Sequence, residues 1–229
     1  RLPNDKLPLE YKGILMLKNF NQLIDLVKEK PKKRVVVAAA QTSSAIEAAI
    51  LAKRENLADS LLVGDKGYIE SFLSEKYPEF INSFEIIDTE ADLNLACVEA
   101  VKAIKDKKGH LILKGKADTA MLLKAVLDKD NGLRTGSVLS DVLAYEHPDK
   151  LMLMSDGGIN LYPDLNEKIA IVKNAVAVAH ALENPKPRVA LLAAVETVNP
   201  KMQCTIDASL IAKMNDRKQI GDCYIDGPL

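Results

Sequence analysis

Residues 111–136 read LILKGKADTAMLLKAVLDKDNGLRTG. A short apolar run gives way to the cationic loop Lys114-Gly115-Lys116. A helical pattern follows over residues 117–127, then an Asn131-Gly132 turn signal with Arg134 just beyond it. Strand, loop and helix in that order form the repeating element of an α/β protein. A helix start carries N–H groups without internal partners and the positive end of the helix dipole. Lysines delivered to such a joint make a place for an anion. A capped βα joint whose lysines face solvent fits the same residues equally well.

Working outward, the alternation continues. Helices are expected over residues 19–30, 43–56, 66–76 and 89–107. Strands are expected over residues 34–40 (RVVVAAA), 60–63, 84–87 and 111–113. Thr42 or Ser43 can cap the second helix and Thr89 the fourth. The run RVVVAAA is apolar at successive positions, as in a parallel strand covered on both faces. Beyond Gly132 the pattern changes. Two runs, 138–146 and 151–154, flank His147-Pro148-Asp149-Lys150 and read as a hairpin, because Pro148 cannot continue a ladder. A helix starts at Pro163-Asp164, with Leu165, Ile169, Val172, Val176, Ala179 and Leu182 on one face. A further apolar strand (188–195), a helix (206–214) and a last strand (222–225) complete the chain. Such alternation implies right-handed βαβ units and mostly parallel sheets.

The 229 residues carry 31 Lys+Arg against 32 Asp+Glu, so no basic surplus points to nucleic acid. Aromatics are 4% and Trp is absent, which removes the stacking platforms of single-strand binders. The three cysteines and three histidines have no metal-binding spacing. Unpaired thiols suit a reducing cytoplasm, and no apolar run is as long as a membrane span. Residues 1–15 carry prolines and charges and are expected to be a leader or flexible extension.

In open α/β sheets ligands lie beyond the carboxyl ends of strands. This singles out residues 40–44, 64–67, 114–119, 155–160 and 196–201. In the third loop Gly115 permits close approach, and Asp118 or Thr119 can cap the helix. Arg134-Thr135-Gly136-Ser137 offers a guanidinium fork and hydroxyls of the kind that match phosphate. Ser155-Asp156-Gly157-Gly158-Ile159-Asn160 is either a tight turn or backbone access to a ligand. Asp156 is a base or the anchor of an Asx turn. The spacing is not that of a dinucleotide loop. Glu196-Thr197-Val198-Asn199-Pro200-Lys201 puts polar groups after a strand. Cys97 is expected inside a helix, Cys223 in a strand and Cys204 on a loop, with burial the role of all three.

Taken together, LKGKADTAMLLKAVL, NGLRTGSVLSDV, MLMSDGGINLYPDLNEKIAIVKNAVAVAHAL and RVALLAAVETVNPKMQCTIDASLIAKM with the closing DGPL resemble the phosphate acetyl/butyryltransferase family, on its butyryl branch. The resemblance runs from about Leu17 to the last residue. It implies two α/β/α three-layer domains with mostly parallel sheets, similar to isocitrate and isopropylmalate dehydrogenases, with the active-site cleft between them. Residues 16–133 would be the first domain and 134–229 the second. It implies a phosphate acyltransferase that moves a short acyl group, butyryl or similar, between CoA and phosphate in a ternary complex. CoA would be a substrate, with no bound cofactor or metal. The protein would be a cytoplasmic homodimer or higher homo-oligomer without nucleic-acid or membrane partners. Lys114, Gly115, Thr119, Arg134, Thr135, Asp156, Asn160, Glu196 and Asn199 would bind substrate. The family continues past DGPL with a Ser-Arg pair and an Asp that have no counterpart before Leu229. The second domain therefore reads as truncated, and Asp156 is the one catalytic candidate left. The alternatives are an acetyltransferase and a non-catalytic member that binds only CoA or phosphate. A hydroxyacid dehydrogenase would need an acidic metal cluster and a nucleotide loop, and neither is found in the sequence.

Overall fold

The burial pattern of residues 33–38 organises the first half of the chain. A computed structural model describes residues 17–229, so the leader expected at 1–15 lies outside the described residues. Strand β1 (Lys33–Ala38) pairs in parallel with β2 (Ala58–Gly64) on one side and with β4 (Leu111–Lys114) on the other. Strand β3 (Glu85–Asp88) completes the sheet, in the order β3-β2-β1-β4. Successive side chains of a strand point to opposite faces, and both faces are covered. Val36, Ala38, Leu61 and Val63 pack on helices α4 (Leu93–Lys105) and α5 (Thr119–Val126). Val37 and Leu62 pack on α2 (Ser43–Arg54) and α3 (Lys66–Lys76). Residues Ile24–Gly136 thus form one compact α/β/α unit. Helix α1 (Phe20–Glu29) leads into it.

The caps differ in part from expectation. Thr42 stands at the start of α2 without a side-chain cap bond. Thr89 does not cap α4. Instead Asp92 accepts hydrogen bonds from the N–H groups of Asn94 and Leu95. Between them Glu90 and Ala91 both take positive φ, a turn that separates the end of β3 from the helix by more residues than the sequence suggests. Thr89 itself is buried.

Residues 137–229, with 17–23, form a second compact unit. Strands β5 (Leu143–His147) and β6 (Lys150–Met154) pair antiparallel, with His147 opposite Lys150, so Pro148-Asp149 is a two-residue turn as anticipated. The expected strand over 138–146 begins only at Leu143. The Val138 and Leu139 carbonyls accept instead from the side chains of Asn174 and Asn160. Helix α6 (Leu165–Ala181) opens on a capping box, with Asp164 and Glu167 each accepting from the other's N–H at 2.8 Å. Its apolar stripe meets α7 (Gln203–Asp216) around Val172, Val176 and Ile211.

Strand β7 (Arg188–Ala190) pairs in parallel with β8 (Tyr224–Asp226). The expected run 188–195 is regular only over its first three residues, although bonds from Leu191 to Asp226 and between Leu191, Ala193 and Leu229 extend it. Its partner runs into Gly227-Pro228, and proline has no N–H for a ladder. One face, with Val189 and Leu191, packs on the core. The other is open, with Leu192 78% exposed. No helix among the described residues is long and apolar enough to cross a membrane.

Candidate functional site

Within residues 24–136, the chain adds β2 and β3 on one side of β1 and then β4 on the other. The point where strand order reverses, between β1 and β4, is where open α/β sheets carry ligands. Lys114 ends β4 there. Its ammonium donates to the carbonyls of Ala117 at 2.9 Å and Gly115 at 3.3 Å, which folds the side chain over its own loop. The N–H groups of Gly115 and Lys116 donate to the Ala38 and Ala39 carbonyls, both at 2.8 Å. A Cβ on Gly115 would lie 2.3 Å from the Ala39 oxygen. The close approach that this glycine permits is therefore to β1's own backbone. Asp118 stands at the N-cap of α5 without a side-chain cap bond, and Thr119 is the exposed first residue of the helix. The first N–H groups of α5 thus have no side-chain cap. Lys114, Gly115 and Thr119 share this one joint.

Arg134 and Thr135 are exposed in the irregular stretch that follows α5. Leu133 N–H donates to the Val126 carbonyl at 2.7 Å, and the Asp128 carboxylate accepts from the N–H groups of Asp130 and Asn131. The turn that launches Arg134 is therefore well defined.

In residues 137–229, Asp156 and Asn160 are in direct contact. The Asn160 amide donates to one Asp156 oxygen at 2.6 Å. The N–H groups of Gly158 and Ile159 donate to the other, at 2.9 and 2.8 Å. Partial burial would raise the carboxyl's pKa, but the hydrogen bonds from Gly158, Asn160 and Ile159 outweigh it and hold the group well below the usual carboxylate range. A carboxylate so stabilised is a weak proton acceptor. Its oxygens are committed to an Asx turn with an added amide clamp. The peptide bond between Ser155 and Asp156 is cis.

Asp141, not singled out from the sequence, completes this loop. It accepts from Gly157 N–H at 2.6 Å, and its carbonyl accepts from the Ser155 hydroxyl at 2.5 Å. No local signal in the sequence marks a partner 14 or 16 residues away.

Glu196 lies exposed on the loop after β7. Asn199, on the same loop, accepts from Lys201 N–H through its side chain, and its own N–H donates to the Thr205 hydroxyl at 2.9 Å. Thr205 was likewise not anticipated. It is fully buried and also bonds the Met202 carbonyl at 2.8 Å. The residues thus fall into local sets: Lys114 with Gly115 and Thr119, Arg134 with Thr135, Asp156 with Asn160, and Glu196 with Asn199.

Two further polar groups sit at strand ends. The Gln41 amide lies over Gly64, whose absent Cβ would be 2.2 Å from the amide oxygen. Neither Gln41's amide atoms nor Thr89's hydroxyl has a protein partner among the described residues. Cys97 and Cys223 are buried, and desolvation raises the pKa of both thiols. Cys204 is exposed, in the first turn of α7 rather than on a loop. No group of three or more metal-ligating side chains occurs among the described residues.

Comparison with known proteins gives a consistent picture. The family model described as phosphate acetyl/butaryl transferase matches residues 83–229. Phosphate butyryltransferase of Clostridium acetobutylicum is 44% identical over 216 residues, which are 93% of this chain and 71% of that protein. Phosphate acetyltransferase of Thermotoga maritima is 36% identical over 90% of this chain and 70% of its own length. Among solved structures, a branched-chain phosphotransacylase from Enterococcus faecalis shares the fold with a TM-score of 0.68 at 22% identity, covering 86% of this chain and 68% of that one. The EutD phosphotransacetylase from Staphylococcus aureus does so with a TM-score of 0.70 at 15% identity, covering 91% and 73%.

Proposed function

The chain belongs to the phosphate acetyl/butaryl transferase family, and from that premise we propose that it transfers a short acyl group, butyryl or similar, between CoA and phosphate. The observation that carries this reading is 44% identity to a phosphate butyryltransferase along 93% of the chain. CoA enters as a substrate rather than a resident cofactor.

The reaction is a direct displacement. A phosphate oxygen attacks the thioester carbonyl carbon, the C–S bond breaks, and the electron pair leaves on sulfur as CoA thiolate. A thiol of ordinary pKa, about 8.5, leaves with little acid assistance. The barriers to lower are repulsion between anions and charge on the carbonyl oxygen. Arg134 and Thr135 supply a forked cation and a hydroxyl for phosphate. Lys114 and Thr119 supply a second cation and the uncapped start of α5, and Gly115, a proposed binding residue of the same loop, lets that loop dock on β1. Asp156 serves by shaping its loop and holding Asn160, rather than by taking a proton. Asn160, Glu196 and Asn199 are the proposed substrate-binding residues of the second unit.

The same reading makes the protein a cytoplasmic homo-oligomer. Unpaired cysteines support a reducing compartment. Tyr162, Leu161 and Leu192, at 95%, 76% and 78% exposure, offer apolar surface to a second copy.

The test is CoA release from butyryl-CoA, with and without phosphate, for the parent and for Arg134→Ala. Phosphate-dependent release that falls about 10- to 100-fold in the variant supports the reading, the scale of one charge-assisted hydrogen bond. No phosphate-dependent release from the parent overturns it. Acetyl-CoA in parallel separates the acetyl from the butyryl assignment, since two methylenes in an apolar pocket shift selectivity measurably.

A further inference from the structure

Asp207 is a carboxylate buried to 3% exposure in the contact between α6 and α7. It accepts from the Lys168 ammonium at 2.5 Å and from the Gln203 amide at 2.8 Å. Nothing in the acyltransfer scheme uses these three side chains. Their location along the helices is informative. Lys168 is the fourth residue of α6 and Asp207 the fifth of α7, so the pair joins the first turns of the two helices. The loop carrying Asp156 and Asn160 enters α6 through the Asp164–Glu167 box. The loop carrying Glu196 and Asn199 enters α7, where Thr205, two residues before Asp207, bonds Asn199 and Met202.

We propose that Lys168, Asp207 and Gln203 are positioning residues that hold the 155–164 and 196–202 loops in one register. With Asp207 buried and Lys168 partly so, this ion pair is a poor source of net stability. Desolvation, chiefly of the carboxylate, offsets most of the attraction, and apolar replacements of similar shape are often neutral. The cohesion of α6 on α7 already comes from Val172, Val176 and Ile211. Apolar contacts of this kind are non-directional and tolerate a small slide of one helix past the other. A charge-assisted bond at a buried carboxylate does not, since a shift of about 1 Å takes it out of hydrogen-bond range. The pair therefore contributes registry where the core contributes adhesion. Because Thr205 shares the first turns of α7 with Asp207, a slide of α7 would carry the 196–202 loop with it.

The inference rests on the proposed function for its catalytic consequence, but its structural core can be read without turnover. The experiment replaces the pair by an apolar one of similar shape, Lys168→Met with Asp207→Leu. Thermal unfolding and amide hydrogen exchange are followed, together with CoA release. The expected result is a little-changed Tm, with exchange in 155–164 and 196–202 faster by about tenfold or more, the scale of losing a charge-assisted hydrogen bond. In an active parent, kcat falls more than the KM for phosphate rises. Unchanged exchange in both loops overturns the proposal, whatever the activity. An inactive parent with the expected exchange pattern overturns the acyltransfer reading and supports this one. Should the double variant fail to fold, Lys168→Met alone removes the bond to Asp207 that crosses between the helices, at a side chain that is only partly buried. Faster exchange in both loops then supports registry, and no change refutes it.

Discussion

Replacing Gly115 by alanine tests the joint between β4 and α5 most directly. The added Cβ would sit 2.3 Å from the Ala39 carbonyl oxygen and 2.9 Å from that of Ala38. An unstrained contact between carbon and oxygen needs about 3.3 Å, so β4 must retreat from β1 by roughly 1 Å. Both bonds that dock the loop, from Gly115 to Ala38 and from Lys116 to Ala39, now measure 2.8 Å. The retreat takes both beyond hydrogen-bonding range. Two such bonds contribute about 0.5–1.5 kcal/mol each, and forcing a methyl into packed backbone costs about 1–3 kcal/mol. The variant is expected to lose about 2–6 kcal/mol of stability. Urea unfolding followed by far-UV circular dichroism measures it, since the chain has no Trp. Gly158→Ala is the control, because no heavy atom lies within 4 Å of a Cβ built there and its φ is not positive. It should stay within about 0.5 kcal/mol of the parent. A Gly115→Ala loss no larger than the control's would refute the view that this glycine exists for the contact between strands.

Asp156→Asn should cost about 1–3 kcal/mol at neutral pH by weakening three hydrogen bonds to a charged acceptor. The folded-state pKa of Asp156 is depressed. Its stabilisation is therefore fully present above the unfolded value near 3.9 and is lost as pH falls toward the folded value. The difference in Tm between parent and variant should accordingly shrink on acidification below about pH 4, and a difference that grows would contradict the assignment. Asp92→Ala should destabilise by about 1 kcal/mol through loss of the α4 cap, against no comparable effect for Thr89→Val on helix content. Titration with a thiol reagent should label one cysteine in the native protein, Cys204, and all three after denaturation. Fast native labelling of Cys97 or Cys223 would contradict their burial.

What the sequence reveals and conceals follows the range of the interactions. β1 is readable because burial on both faces needs an unbroken apolar run, and Val35 to Ala38 supply one. The β5–β6 turn is readable because Pro148-Asp149 is local chemistry. The cap of α4 is not, because Thr89 and Asp92 are both good caps. The choice lies in two positive-φ residues between them that carry no glycine. The start of β5 is hidden for a different reason. Asn174 and Asn160 claim the 138–139 carbonyls from 36 and 21 positions away, and no window of sequence contains that competition. The candidate residues were found as loops at strand ends. Asp141 and Asp207, which shape those loops, are invisible because Ser155, Gly157 and Lys168 lie 14, 16 and 39 positions from them. Thr205 instead bonds near neighbours, Asn199 and Met202, and carries no signal that sets it apart from any other threonine in the first turn of a helix.

The order β3-β2-β1-β4 also has a consequence for synthesis. The partner of Val35 on β2 follows 25 residues later, but its partner on β4 is Leu111. At ribosomal rates of about 5–20 residues per second, that second edge of β1 stays unoccupied for roughly 4–15 s after it emerges. For that interval the apolar strand β1, with its Val35–Ala38 run, is an open template for any passing β-segment. The vulnerable species in the life of this chain is the nascent half-sheet, and a cell that makes it in quantity must shield that edge until the residue 111–114 strand arrives.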